Sequence, residues 1–567
     1  MKETTRRDVL RALLGTSVAA TVLQAGSGCG RRARGIPDGE LLDFGRMRGH
    51  DSLRDGKAPP RATPSWPTLR ADVVIVGGGV AGLAAAWRLR RAGIEDILVL
   101  ELDDEVGGTA RSGTSAVTAF PWGAHYVVLP GREYPAFSTL LSELGAIEGF
   151  DDDGTPRAAE TAACREPEER HFQNGLLYEG LYPQAGETED DERQRLRFTQ
   201  ELARLSEARD EEGRRAFTLP SAHASRAEEF RALDHISMGT WLKQQGFSSW
   251  RLRWLCDYAC RDDYGCSVDD ASAWAGLFYF CARKGSGGHD RPVITWPEGN
   301  ARIVQHLAQP LRDRIRTGHV VVDVAEALND PGSKDLDRSS TVELTTLGPA
   351  GPTRVLARDV VVATPRFVSA RIVRPLREQK PAWLSSFSSS PWAVVNLHLR
   401  TRPTQVGRVR HEPWAWDTVF VDSPSLGYVT ATHQSGRDHG ATVLTWYRPL
   451  WEEEPKQARD KLLSFGREHW ARAALDELSL LHPDLSDVVS RVDVGRFGHA
   501  MVRPTPGLFS SGALTQAQGP LGRIHFAHTD LSGVALCEEA FFHGVRAAEE
   551  IVQKREPGTA TMLQRVL

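Results

Sequence analysis

Gly77, Gly79 and Gly82 stand in the order G-x-G-x-x-G, and Glu101 follows 24 residues after the first. Glycines at that spacing let a backbone turn tightly, approach a pyrophosphate and pack a helix closely on a strand. The acid can accept hydrogen bonds from two ribose hydroxyls. Together they imply a dinucleotide. Other reactive side chains are scattered. His125, in "PWGAHY", is a histidine in an apolar setting and on its own reads as a lone base. Asp263 and Tyr264 end the aromatic stretch "WLCDYACRDDYG", where either can receive a cationic amine or help to end a helix before Gly265. His499 lies in "GRFGHAMVRPTPG", and His528 and Asp530 in "FAHTDLSG"; His433 and His439 read as turn residues. The cysteine run "CDYACRDDYGC" lacks zinc-knuckle spacing and no partner C-x-x-C follows. Structural thiols or a single disulfide fit it, and no metal site is expected.

The elements that must position the glycines are legible. "ADVVIVGGGVAGLAAAWRLRRAGIEDILVLE" predicts strand, turn, helix and strand. Val73 to Val76 form a buried parallel strand, amides at the helix start face the phosphates, and Ile97 to Leu100 lead to Glu101. Near the C-terminus, Ile524 to Ala527 predict a strand followed by a loop and a helix. That helix carries Ala540, Gly544, Ala547 and Ala548 on one close-packing face. Between these ends, Asn174–Gly175 signals a hairpin, and Phe198, Leu202 and Leu205 give a one-sided helix. "PWAVVNLHLR" and "ATVLTWYRPL" suggest an antiparallel sheet capped by helices. No second strong G-x-G-x-x-G occurs, so electrons are expected from the substrate rather than from NAD(P)H.

The 567 residues, 41% hydrophobic and 25% charged, are enough for two or more cores. A formal charge of −5 gives no electrostatic case for nucleic acid. The start, "TRRDVLRALLGTSVAATVLQAGSGCG", pairs Arg6 and Arg7 with a short apolar run. It reads as a twin-arginine-type signal over residues 1–29, implying passage through that export machinery and a periplasmic or extracytoplasmic place. The run is too short and weak for a membrane span. Cys29 is a weak candidate for a lipid anchor, because "GSG" precedes it. Residues 30–69 read as a linker.

"ELDDEVGGTARSG" adds a second glycine pair, Gly107–Gly108, and Arg111. With the block "GRIHFAHTDLSGVALCEEAFFHGVRAAEEI", it resembles the flavin-dependent amine oxidase and carotenoid desaturase superfamily, from about Asp72 to Ile551. The resemblance implies an α/β fold. A Rossmann-like FAD-binding domain would be assembled from segments 70–128, 291–370 and 496–567. An α+β substrate domain would come from 129–290 and 371–495. FAD is the implied cofactor, held by Gly77, Gly79, Gly82, Glu101, Gly107, Gly108, Arg111, Gly123, Ala124, His528 and Asp530. His528 stands where the family has glycine, and Asp530 where it has an acid. The resemblance also places a close-approaching glycine at Gly123, with His125 bordering the isoalloxazine or the substrate entrance beside Trp122 and Tyr126. His499 falls near the flavin face.

His125, His499, Asp263 and Tyr264 are the catalytic candidates. Two family markers are missing. The strand "PWAVVNLHLR" has no lysine, leaving Asn396 and His398, and Leu536 stands where many amine oxidases have tyrosine. The expected function is removal of a hydride from a C–N or C–C bond of a small molecule, with electrons passed to oxygen or another acceptor. A desaturase or isomerase of an apolar substrate is the alternative, and a non-catalytic flavin-bound scaffold is a third reading. The sequence fixes no oligomeric state.

Overall fold

Val73, Val74 and Ile75 have no solvent exposure, as expected of a strand covered on both faces. In the computed structural model, which describes residues 35–54, 62–63, 65–285, 288–327, 341–407 and 413–563, they belong to strand Thr68–Val76. This strand lies in a seven-stranded sheet. It runs parallel to Ile97–Leu100 on one side and Gly351–Val362 on the other. The Gly351–Val362 strand is long enough to take two partners along its other edge. Val342–Gly348 pairs antiparallel along it, and Ile524–Phe526 pairs parallel at residues 360–362.

Helix Val80–Arg91 covers one face. Helix Cys537–Arg555 packs against it through the expected small-residue face. A Cβ added to Gly544 would sit 2.2 Å from the Ala81 carbonyl oxygen and 2.7 Å from Ala84 Cβ. The two helices can approach this closely only without a side chain there.

The second sheet has eight strands. From Leu41–Leu42 it runs through Val489–Val502, Ser389–Leu399, Thr442–Pro449, Tyr428–Thr430 and Asp417–Phe420 to the hairpin Glu169–Gln173/Leu176–Glu179. Asn174 and Gly175 turn that hairpin with φ of 51° and 80°, the mirror-image turn that matches strand twist. Phe198, Leu202 and Leu205 lie buried on helix Glu189–Glu207, and helices Trp250–Tyr264 and Ala273–Cys281 pack beside it. Cys164, Cys256, Cys260, Cys266, Cys281 and Cys537 are free thiols. Among the described residues no group of side chains could hold a metal ion, and no helix is long and apolar enough to cross a membrane.

The linker reading of residues 30–69 needs correction over residues 36–54. Leu41–Leu42 pairs with Val494–Gly495, and helix Arg46–Leu53 follows. Composition suggested a linker because glycine, arginine and proline are frequent there. Residues 36–54 are held instead by distant partners, with both Asp43 oxygens accepting from Arg496 at 2.8 Å. The signal residues 1–29 and Cys29 lie outside the described residues.

Candidate active site

The turn after Val76 builds the first wall. Gly77 has φ of 107°, open to glycine alone, and an added Cβ would meet the Ala363 carbonyl oxygen at 2.5 Å. Gly79 precedes the helix, and a Cβ built there meets nothing, so its α-carbon faces open space. Glu101 is buried. Its carboxylate accepts from Gly78 N at 2.7 Å and Asp103 N at 2.8 Å. Burial raises its pKa, while these N–H groups and Arg111 oppose the shift. Gly107 and Gly108 follow with φ of 125° and 57°.

Two sequence assignments differ here. Gly82 does not border the cavity; it serves only packing, since a Cβ would fall 2.0 Å from the Gly77 oxygen. Arg111 does not face the cavity either. It donates to the Gly108 carbonyl at 2.9 Å and Asp103 at 2.6 Å and lies over the Phe44 ring. Its offset of three positions from Gly108 carries the guanidinium behind the loop.

The second part of "PWGAHY", Gly123 to Tyr126, borders the cavity. A Cβ on Gly123 would meet the Thr109 carbonyl at 2.2 Å. The Ala124 N–H donates to that same carbonyl at 3.0 Å. Asn300 holds the segment from the other side, its amide donating to the Tyr126 carbonyl at 2.8 Å. His125 Nδ1 donates to the Gly123 carbonyl at 3.1 Å, and its ring stacks on Tyr447 at 4.9 Å. Burial lowers its pKa to about 4, so the ring is neutral at pH 7.

Gly77, Gly79, Glu101, Gly107, Gly108, Gly123, Ala124, His125, Asp263, His499, His528 and Asp530 all border one cavity of about 420 Å³. His528 caps the turn after Phe526, its Nδ1 accepting from Asp530 N at 3.1 Å. Asp530 accepts from Arg366 N at 2.7 Å, tying this turn to the loop after Val362. Burial pushes the Asp530 carboxyl up, but His528 and the Arg366 amide and guanidinium outweigh it and hold the pKa low. His499 bonds Ser389 Oγ at 2.8 Å and stacks on Phe367 at 4.0 Å. Burial, then Arg459, His50 and Arg371, lower its pKa to about 3. It is a neutral wall residue.

Tyr264 is corrected. Its hydroxyl donates to the Ala275 carbonyl at 2.9 Å, away from the cavity, and helix Trp250–Tyr264 ends after it at left-handed Gly265. Asp263 does face the cavity, but both its oxygens accept from Arg283 Nη2, at 2.7 and 2.8 Å. Arg283 also donates to Tyr126 Oη at 3.1 Å. Asn396 and His398 are engaged elsewhere: Asn396 bonds Thr445 and the Pro121 carbonyl, and His398 pairs with Asp493. Strand alternation puts all four of Trp392, Val394, Asn396 and His398 on one face, but only Trp392 and Val394 border the cavity, and Asn396 and His398 lie further along the strand.

The cavity adjoins a second one of about 790 Å³, and both are bordered by His125, Tyr126, Tyr258, Asp262, Arg283 and Asp417. Glu168, Glu169, Tyr279 and Trp416 line the second chamber. Its cations are largely committed: Arg283 to Asp263, Lys284 to Asp290 and Arg291 to Glu133. Among the described residues, Asp262, Glu168, Glu169 and Asp417 form no ion pair. Burial and then Glu168 push the Glu169 carboxyl up to about 8, and burial and then Glu166 push Glu168 up to about 7. Burial, then Glu169 and Asp262, raise Asp417 well above the usual range. Sequence reasoning missed Asp417, Arg283, Tyr447 and Trp392 as site residues. An acid inside the apolar run "PWAWDTVF" was the available signal for Asp417.

FAD fits the first cavity. The Gly79 side of the helix start is open to it, and Asn300 Oδ1 and Thr364 Oγ1 are buried at its wall without hydrogen-bond partners. Gly79, the Gly107–Gly108 loop and Glu101 would hold the dinucleotide, with His125, Trp392 and Tyr447 on the substrate side.

Known proteins share this fold. The first match spans 109 residues, 31% identical to dimethylglycine dehydrogenase of Rattus norvegicus and covering only 13% of that protein. L-amino acid dehydrogenase of Synechocystis is 25% identical over 500 residues, 85% of this chain and 94% of that one. The fold matches putrescine oxidase bound to putrescine with a TM-score of 0.61 at 21% identity, covering 86% of this chain and 100% of that chain. Cyclohexylamine oxidase from Brevibacterium oxydans gives 0.60 at 17% identity, over 86% and 99% of the two chains. The sequence model for flavin containing amine oxidoreductases matches residues 80–552. The chain therefore belongs to that family, as an FAD-dependent oxidoreductase of the flavin amine oxidase type.

Proposed function

We propose that this chain oxidises an aliphatic amine carrying a second cationic group, removing a hydride from carbon next to nitrogen and passing the electrons to oxygen. The observation carrying this reading is the chamber of unpaired carboxylates, Asp262, Glu168, Glu169 and Asp417, opening onto the cofactor cavity. A buried carboxylate without a counter-cation is costly, and a bound ammonium relieves the cost. Tyr126, Tyr258, Trp416 and Tyr447 surround the passage with ring faces that attract cations. An apolar substrate would leave these carboxylates unpaired, which disfavours the desaturase reading.

Bound FAD supplies the hydride acceptor. The chain's residues must position the amine and deprotonate it, because an ammonium has no lone pair with which to form C=N. Asp262, which borders both cavities and whose carboxyl is pushed up by burial and then by Asp263, suits that proton uptake. His125 is less basic and serves as a wall. Trp392 and Tyr447 confine the reacting carbon at the cavity centre.

Twin-arginine export belongs to the same proposal and rests on Arg6–Arg7 and the apolar run behind them. Lipid attachment at Cys29 remains its minor variant.

The test is anaerobic bleaching of bound flavin by diamines, monoamines, amino acids, aromatic amines and isoprenoids. Diamines should bleach fastest. Bleaching by isoprenoids alone would defeat the proposal, and no bleaching by any class would support the scaffold reading. Arg6→Lys with Arg7→Lys should retain the protein in the cytoplasm; unchanged fractionation would defeat export.

A further inference from the structure

We propose that residues 36–54 form a clasp that retains the dinucleotide, with Leu53 contributing directly to the cavity wall at its Glu101 end. This rests on the cofactor assignment and is independent of the amine reading.

The segment joins pieces of both sheets that border the cavity. Its strand Leu41–Leu42 extends the eight-stranded sheet beside Val494 and Gly495. Arg496 holds Asp43 with two bonds of 2.8 Å and also donates to the Leu463 and Phe465 carbonyls. Phe44 stacks on Phe497 at 4.4 Å and meets Trp122 edge-on at 5.5 Å. Phe497 borders the cavity, and Trp122 belongs to the "PWGAHY" segment. Gly495 makes room for this packing, since a Cβ there would fall 2.8 Å from the Phe44 ring.

The chain then turns onto the acid loop of the other sheet. Gly45 presses on Leu102, where a Cβ would lie 2.6 Å from Leu102 Cδ2. Arg48 donates to the Leu102 carbonyl at 2.7 Å and to Asp104 at 3.0 Å. Leu102 follows Glu101, and both border the cavity. Leu53 ends the helix on the same wall, packed on the apolar cluster that includes Leu100, Val321 and Ile372. The clasp thus fixes the acid loop and the Phe497 strand at once. A dinucleotide held between them leaves more slowly while the clasp is closed, and by reciprocity its presence holds the clasp closed.

The experiment compares the parent holoenzyme with Leu53→Ala and Arg48→Ala. FAD release is followed by flavin fluorescence after dilution, and hydrogen exchange of residues 41–53 is measured with and without FAD. Each variant should release FAD faster, by about tenfold for Leu53→Ala from the lost apolar contact. Exchange over 41–53 should slow on FAD binding more than exchange over the 169–179 hairpin. Parental release rates in both variants would overturn the proposal, including when apo melting temperatures fall, since that marks a purely structural cover. Equal exchange with and without FAD would overturn it too. Arg48 is half-buried and outside the apolar core, so its variant tests retention if Leu53→Ala does not fold.

Discussion

Asp417→Asn separates a substrate-binding carboxylate from a structural one. The substitution keeps shape and removes charge. Asp417 accepts one long bond, 3.3 Å from Tyr258 Oη, and otherwise faces the cavities. A hydrogen bond to a charged partner contributes about 1.5–3 kcal/mol, so kcat/KM for a diamine should fall roughly 10- to 150-fold. A monoamine of equal length, which places no second cation in the chamber, should lose less than about threefold.

Stability should move the other way. In the chamber the folded-state pKa values are raised, to about 8 for Glu169, against roughly 4 in an unfolded chain. Between those values the folded protein binds more protons, so its stability declines as pH rises through that window. Asp417 is raised in the same sense, by burial and then by Glu169 and Asp262, so removing its charge relieves the same cost. The apo variant should therefore melt higher than the parent at pH 8, with a smaller difference at pH 5. Steady-state kinetics with the matched amines and melting curves at the two pH values provide the assay. An equal loss for both amines, or a lower melting temperature at pH 8, would refute the reasoning.

Tyr264→Phe should cost about 1 kcal/mol of stability, from one lost hydrogen bond, and leave kcat unchanged; a kcat loss beyond tenfold would restore Tyr264 to the chemistry. Gly544→Ala forces a Cβ to 2.2 Å from the Ala81 oxygen. It should destabilise the fold by about 1–3 kcal/mol and weaken FAD retention, as read by melting and flavin content. His125→Phe should keep the shape of the pH profile of kcat above pH 6, because the imidazole is already neutral there; loss of a limb in that range would assign it proton transfer.

What the sequence reveals is local. The turn around Gly77, the helix behind it and Glu101 lie within one continuous stretch, and each declares itself by type and spacing. Ala540 and Gly544 were legible as a packing face because a helix repeats. The substrate end is different. Tyr126, Asp263, Arg283 and Asp417 come from separate elements, and only the tertiary fold brings them together. Helix periodicity could not tell that Asp263 is matched by Arg283 while Asp262 has no such partner. Arg111 was placed by its distance from a glycine pair, but a loop with two left-handed glycines turns it toward Asp103. The 36–54 segment misled because its order depends on Arg496 and Phe497, hundreds of residues downstream.

Strand Ile524–Phe526 and helix Cys537–Arg555 carry a consequence for biosynthesis. The phosphate-binding turn at Gly77 emerges early from the ribosome, yet Val360 to Val362 gain their second neighbour only with Ile524 to Phe526. The Ala81–Ala84 face stays bare until Gly544 arrives. A nascent chain exposes this apolar face through most of translation, which makes it a binding surface for chaperones. Flavin capture then waits for residues 524 to 555, and a stop codon before residue 524 would yield a product with neither a finished sheet nor a cofactor.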